Sequence, residues 1–176
     1  MAVSGRALVV GTGSPADPVA AGLAALGWTV ERGDPTPGTP LDLVVHADYP
    51  AISRRRADLA DRTPDEWHAA ADAPLKAAIR LAQRSHTGLA AADGTIVFLV
   101  PLMASAGGEG FAPFATVAEG VRILAKSLAK TWGGDGIRAH ALTLDPGAFL
   151  AADDAAGMAE ANALHDPPLG RVPDLE

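Results

Sequence analysis

A glycine loop near the N-terminus is the first place in this sequence where residue types and spacing could do chemistry. Gly11 and Gly13 follow a short apolar run, Ala7–Val10, and precede a helical pattern. In folds that bind dinucleotides, glycines at this point let the backbone approach a pyrophosphate, and the next helix N-terminus attracts the anion. Here Pro15 lacks an N–H donor, and Asp17 places a negative charge where phosphates would lie. The sequence therefore favours a structural turn with a helix cap, and nucleotide binding through the two glycines is the alternative.

Imidazole and carboxylate side chains near the ends of predicted strands form a second candidate. His46, Asp48 and Asp145 lie at or just after apolar runs, and His140 lies within another. A His/Asp pair could bind a metal or transfer protons, and α/β proteins bind ligands where strands end. No pair of histidines has the H-x-x-x-H spacing that would place both on one helix face. We therefore favour unrelated polar residues at loop ends and predict no metal site.

Length, composition and charge exclude several classes of protein. The chain has 176 residues, 48% of them hydrophobic and 20% charged, which predicts one folded domain over 1–176. The net charge is −7 and the longest basic run is Arg54–Arg56, so nucleic-acid binding is disfavoured. Cysteine is absent and no apolar run is long enough to cross a bilayer. We expect a soluble cytoplasmic protein.

Apolar runs alternate with helical patterns along the chain. Thr63 and Glu66 have the spacing of a capping box, which marks one helix start. This alternation is typical of a parallel sheet in a doubly wound α/β fold. The segment 147–176 is predicted to be weakly structured, with a helical tendency over 153–164. Strands are predicted at 7–10, 28–31, 41–46, 95–100 and 139–144, and helices at 15–26, 64–85 and 113–132.

The stretch from Gly94 to Gly147 resembles the short-chain dehydrogenase/reductase (SDR) superfamily. It has a buried strand, a loop, a long helix, a second strand and the Pro146-Gly147 turn in the family's order. The resemblance implies a Rossmann-like sheet, but two family segments are missing. The loop 32–40 stands where a helix, a strand and a helix are usual, and the family continues beyond a segment like 168–171. We therefore expect about five strands, with segments lacking at both sheet edges, and such edges invite pairing with another chain.

The resemblance also implies that the catalytic residues of the family are absent. The family uses Asn, Ser, Tyr and Lys: the phenol exchanges a proton with the substrate oxygen, and the lysine lowers the phenol pKa. The matching positions in this sequence are occupied by Pro74, Pro101, Phe114 and Ala118. None of these side chains can exchange a proton or lower the pKa of a phenol, so we predict loss of the standard reaction and no catalytic residue.

The cofactor contacts that the resemblance implies are also altered. Tyr49 stands where the family has the glycine of Asn-Asn-Ala-Gly, so it narrows a cofactor cleft or anchors a loop. At the end of the second strand, Glu31 favours NAD whereas Arg32 favours NADP. We expect no cofactor, with NAD(P) bound at Gly11 and Gly13 as the alternative.

The helices 64–85 and 113–132 are retained, and in SDR proteins the matching helices form a four-helix dimer interface. Along the second, apolar residues from Phe114 to Trp132 recur at helical spacing, which could serve a partner or simply pack on the sheet. We predict a non-catalytic SDR-like subunit, a pseudoenzyme that pairs with an intact SDR or with itself. The alternatives are an NAD(P)-dependent oxidoreductase acting on a ketone or acyl thioester through a non-standard site, and a small-molecule binding module.

Overall fold

Five parallel strands form one sheet in the order β2-β1-β3-β4-β5. The computed structural model of the protein describes residues 4–161. The predicted doubly wound α/β sheet of about five strands is confirmed. Its strands are β1 Arg6–Val10, β2 Thr29–Arg32, β3 Leu43–His46, β4 Thr95–Pro101 and β5 Arg138–Leu144.

Helices connect the strands and cover the sheet. Because right-handed crossovers run outward from β1 in two directions, α1 lies on one face, and α3 and α5 lie on the other. The predicted helix 64–85 extends to Ala90, and a π-helical turn, His68–Asp72, joins its two parts. Thr63 and Glu66 form the predicted capping box. The helices are α1 Ala16–Ala25, α2 Pro64–Trp67, α3 Ala73–Ala90, α4 Met103–Ala106, α5 Ala112–Trp132 and α6 Ala152–Ala161.

The core runs across the sheet in rows of paired apolar residues. Leu8 pairs with Val44, Val44 with Ile96, and Ile96 with Ala139. All four are buried, as expected of a parallel sheet with helices packed on it.

The first part of the apolar stripe of α5 packs on this core. Phe114, Val117, Val121 and Ala125 are buried, and α5 makes its most extensive contacts with β4 and β5. Packing on the sheet therefore accounts for these four residues, and pairing of α5 with another subunit stays a prediction. Only the outward face of α5 remains for such a role.

The C-terminal part begins with a 3-10 turn, Pro146–Ala148, and continues into α6. This helix agrees with the helical tendency predicted from residue 153, and the rest of the segment 147–176 from residue 162 lies outside the described residues. Within residues 4–161, β2 and β5 are the two edge strands.

Candidate functional site

The first glycine of the loop after β1 is required by the packing of the chain. Gly11 has a φ of +127°, which side chains rarely allow, and a Cβ there would lie 2.6 Å from the carbonyl oxygen of Ala47. Ala47 directly follows β3, and its N–H donates to the carbonyl of Val10. A glycine at this position therefore serves the contact between β1 and β3, whether or not a nucleotide binds.

The second glycine donates to a carboxylate of the protein itself. The Gly13 N–H donates to Asp17 Oδ2 at 3.0 Å, and Arg32 Nη2 donates to Asp17 Oδ1 at 2.8 Å. Arg32 also donates to the carbonyl of Gly11. Pro15, at the cap of α1, is buried and offers no N–H. The Gly13 N–H and the Arg32 guanidinium, which could bind a pyrophosphate here, thus donate to Asp17. This loop therefore does not fit a dinucleotide in the way that the resemblance implies.

Hydrogen bonds tie together the loops at the carboxyl edge of the sheet. Ser14 Oγ, in the loop after β1, donates to the carbonyl of Ala148 at 2.6 Å. Arg54 Nη1, in the loop after β3, donates to the carbonyl of Phe149 at 2.8 Å. Both acceptors lie just after β5, so three loops that flank a ligand crevice in open α/β sheets are joined directly.

Five buried rings, which we call the aromatic cluster, lie at this edge. Tyr49 is at the centre: its ring centroid is 5.2 Å from that of Phe114, 5.5 Å from that of His46 and 5.6 Å from that of Phe149. All three contacts are edge-to-face, the geometry that the ring quadrupoles favour. The cluster consists of His46, Tyr49, Phe98, Phe114 and Phe149.

The phenol of Tyr49 is held inside the protein. Its hydroxyl donates to the carbonyl of Leu99 at 2.8 Å, and burial raises the pKa of the phenol well above its ordinary range. A phenol in this state is neutral and already bonded, so it is poorly placed to transfer a proton to a substrate. These contacts agree with both interpretations of Tyr49, because its ring fills space at this edge and its hydroxyl anchors the loop after β3 to β4.

His46 is a buried histidine in its neutral form. Its ring contacts Tyr49 and Phe98, and Nδ1 has no hydrogen-bond partner within the described residues. Burial lowers its pKa from 6.5 to about 4. The imidazole therefore behaves as part of the core at neutral pH.

The four positions that the resemblance assigns to catalysis are all buried. Pro74 is the second residue of α3, Pro101 ends β4, and Phe114 and Ala118 lie one turn apart on α5. None of them carries a polar side-chain atom, so the site has no proton donor from these positions. Their correspondence with the family's tetrad stays a prediction.

The other candidate side chains are not brought together. Asp145 accepts from the Gly147 N–H at 2.7 Å, His140 is exposed on β5, and Glu31 pairs with Arg6. Asp48 lies beyond β3, half-buried. In the part of the chain that the structure describes, no three His, Asp or Glu side chains could hold a metal ion.

Sequence patterns did not reveal two features of this edge. Phe98 and Phe149 complete the aromatic cluster from β4 and from the loop after β5, and only the fold brings them near Tyr49. The pairing of Arg32 with Asp17 joins the end of β2 to the first turn of α1, and the opposite charges of the two residues are the single signal for it in the sequence.

Comparison with protein families gives a clear match. The family model described as "Enoyl-(Acyl carrier protein) reductase" matches residues 38–176. The chain belongs to the short-chain dehydrogenase/reductase family. The family resemblance seen in the stretch 94–147 is thereby confirmed, and the match extends through most of this SDR chain. A search of curated proteins gives no match.

Solved structures show the same fold at low identity. A protein described as a short-chain alcohol dehydrogenase from Sinorhizobium meliloti 1021 is 19% identical, with a TM-score of 0.74 over 98% of this chain and 85% of its own. An SDR-family oxidoreductase from Brucella ovis, in complex with a partially ordered NAD, is 16% identical, with a TM-score of 0.70 over 91% and 90%. A gluconate 5-dehydrogenase from Burkholderia cenocepacia J2315, in complex with NADP and tartrate, is 20% identical, with a TM-score of 0.67 over 80% and 71%.

Among the described residues, none of the helices combines the length and the apolar character needed to cross a bilayer.

Proposed function

We propose that this SDR chain is a non-catalytic subunit that pairs with a catalytically intact SDR and supports it. The observation that carries the proposal is the aromatic cluster. Where the resemblance expects a reactive phenol on α5, the chain has the buried ring of Phe114, packed against Tyr49 and Phe149. A hydrocarbon ring in this place cannot exchange a proton, and its neighbours take the space that a substrate would need.

The glycine loop supports the same proposal. Asp17 accepts the Gly13 N–H and pairs with Arg32, so a dinucleotide would have to displace a carboxylate that the loop already holds. It would also bring its own negative charge toward Asp17, which is unfavourable. The relatives solved with NAD or NADP are therefore expected to differ from this chain in cofactor binding.

The surface proposed for pairing is the outward face of α3 and α5, which we call the helix-pair surface. It exposes two large apolar side chains, with Ile79 37% and Ile123 48% exposed. Gly120 and Ser127 lie one turn before and after Ile123 on α5, and small residues let helices approach closely. Exposed isoleucines on two neighbouring helices are suited to contact with another helix pair.

Sedimentation tests the pairing. We expect the full chain to form a stable complex with an intact SDR encoded in the same genome, measured by analytical ultracentrifugation at micromolar concentration. The double substitution I79D/I123D should abolish the complex, because it buries two charges in the contact. Leu142→Asp, an equally drastic change at an exposed leucine on β5, is the matched control and should leave this complex intact. A chain that stays monomeric with every SDR tested contradicts the proposal.

The runner-up is an NAD(P)-dependent oxidoreductase with a non-standard site, acting on a ketone or an acyl thioester. The family match and its description favour this candidate. Titration of the chain with NADH and NADPH, followed by nucleotide fluorescence, separates the two. No saturable binding in the micromolar range is expected for a non-catalytic subunit, whereas such binding would favour the enzyme.

A further inference from the structure

The outer edge of β5 presents backbone groups that no described strand uses. The N–H of Arg138 donates to the carbonyl of Gly94 before β4, and the carbonyl of Leu144 accepts from Leu102 after it. Successive residues of a strand point their N–H and C=O groups to opposite sides. Those of Ala139, Ala141 and Thr143 therefore point away from β4, toward the open side of the sheet. This edge can accept a further strand.

A groove of about 500 Å³ runs along this edge, between β5 and α5. Its floor includes the small side chains of Ala139, Ala141 and Thr143, and α5 contributes Ala125 and Ala129. Small residues on both sides leave room for the side chains of an added strand. The edge of β5 along this groove therefore offers the hydrogen-bonding groups that an extended segment needs.

The wall of the groove is cationic in a protein whose net charge is −7. Arg122, Lys126 and Lys130 follow one another at four-residue spacing along α5 and all line the groove. Arg122 pairs with Glu119, whereas Lys126 and Lys130 make no ion pair with any described residue. The two lysines thus give the groove a net positive charge.

The opposite face of the same strand is apolar at its centre. Leu142 is 51% exposed, although its paired neighbour Leu99 is buried. A strand added beside β5 would alternate its side chains between the lysines on one face and Leu142 on the other. The edge therefore suits a segment in which acidic and apolar residues alternate.

We propose that the β5 edge and the cationic wall of α5 bind an extended acidic segment of a partner protein as an added strand. A second copy of the chain is a poorer occupant, because two-fold pairing would bring both sets of lysines together. Lys126 and Lys130 lie one and two turns after Ile123 on α5, so this site adjoins the helix-pair surface, but it does not depend on the function proposed above.

Fluorescence anisotropy tests the proposal on the full chain. The probe is a short fluorescein-labelled peptide in which valine and glutamate alternate, and its control carries lysine in place of glutamate. We expect saturable binding of the acidic peptide only. The substitution K126E/K130E should weaken it at least about tenfold, because two attractions become repulsions. The matched control K76E/R80E reverses two exposed charges on α3 and should leave binding unchanged.

A backbone variant separates strand pairing from simple charge attraction. Ala141→Pro removes an outward N–H without removing a hydrogen bond to β4, and edge strands tolerate proline. We expect it to abolish peptide binding while the circular dichroism spectrum stays unchanged. Equal binding by Ala141→Pro or by K126E/K130E, or equal binding of the lysine peptide, would overturn the proposal.

Hydrogen exchange of the full chain distinguishes the other occupants. Fast exchange of the Ala139, Ala141 and Thr143 amides, slowed by the acidic peptide, supports the proposal. Protection before peptide is added contradicts it: protection that disappears on dilution identifies a second copy, and protection independent of concentration identifies the chain's own C-terminal segment.

Discussion

The carboxyl edge of the sheet and the outer edge of β5 meet at the same strand, but they differ in how their polar groups are hydrogen-bonded. At the carboxyl edge, the loops after β1, β3 and β5 bond to one another, and the aromatic cluster is buried. Along β5, three residues have outward backbone groups that no described strand uses, and Leu142 is half exposed. The polar groups at the carboxyl edge are thus bonded within the chain, whereas those along β5 are left for another molecule.

Substitutions in the two regions should therefore affect different properties of the chain. Substitutions in the closed region should act mainly on folding, because buried rings and hydrogen bonds hold it together. Substitutions along β5 should act mainly on association, because little there is buried within one chain. Four measurements test this difference between the two regions.

Truncation of Phe114 should have the largest effect. Phe114→Ala removes a fully buried ring from the aromatic cluster and should lower the free energy of unfolding by about 3–5 kcal/mol. Urea denaturation of the purified chain measures it. Leu142→Ala on β5 is the matched control and should cost less than about 1 kcal/mol, because half of that side chain is already exposed. Equal losses in the free energy of unfolding from the two substitutions would contradict the difference between the buried cluster and the β5 edge.

Acid should weaken the closed region through His46. Its pKa is lowered from 6.5 to about 4 in the folded chain, so the unfolded chain binds a proton first. Stability contributed by the neutral ring is complete above the ordinary pKa and falls as the pH drops toward the folded value, by about 3 kcal/mol in all. Urea midpoints between neutral pH and pH 4 follow this loss.

The control for the acid effect is a variant without the buried imidazole. His46→Leu should show a flatter dependence on pH than the unsubstituted chain, whatever its absolute stability. Leu99→Ala, at a buried residue that has no titratable group, should keep the original dependence. If His46→Leu and the unsubstituted chain lose stability in parallel, another group is responsible.

Removal of the Tyr49 hydroxyl should have a smaller effect. Tyr49→Phe keeps the ring in the cluster but leaves the Leu99 carbonyl without this donor, which should cost about 1 kcal/mol. The midpoint of thermal unfolding measures the change. A gain in stability would mean that the hydrogen bond contributes nothing.

The smallest effect is expected at the glycine loop. Asp17→Asn removes an exposed ion pair with Arg32, and such pairs contribute less than about 1 kcal/mol. Because Pro15 and the aromatic cluster remain, we expect no NADH or NADPH binding by this variant in a fluorescence titration. New micromolar binding would show that Asp17 alone keeps nucleotides out.

The sequence predicts the fold better than the site. Alternating apolar runs place all five strands within two residues of their observed bounds, because buried parallel strands have a strong local signal. The capping box at Thr63 and Glu66 marks the start of α2 correctly. The resemblance over 94–147 leads to the right family.

What the sequence does not show are contacts between distant residues. Helical periodicity shows that α5 has an apolar stripe but not what covers it, and the structure shows that the part from Phe114 to Ala125 packs on the sheet. The pairing of Tyr49 with Phe149, 100 positions later, depends on strand order and on loop conformation. No local pattern encodes it.

The rings of the aromatic cluster pack against one another, so single substitutions among them are unfavourable. The substitution Phe114→Tyr would place a hydroxyl among Tyr49, Phe149 and other buried side chains. Smaller residues at 49 or 149 would first leave a cavity. Each separate step toward an open cleft is therefore disfavoured, and only several simultaneous substitutions avoid these penalties. Single substitutions therefore do not readily open space at the carboxyl edge of the sheet.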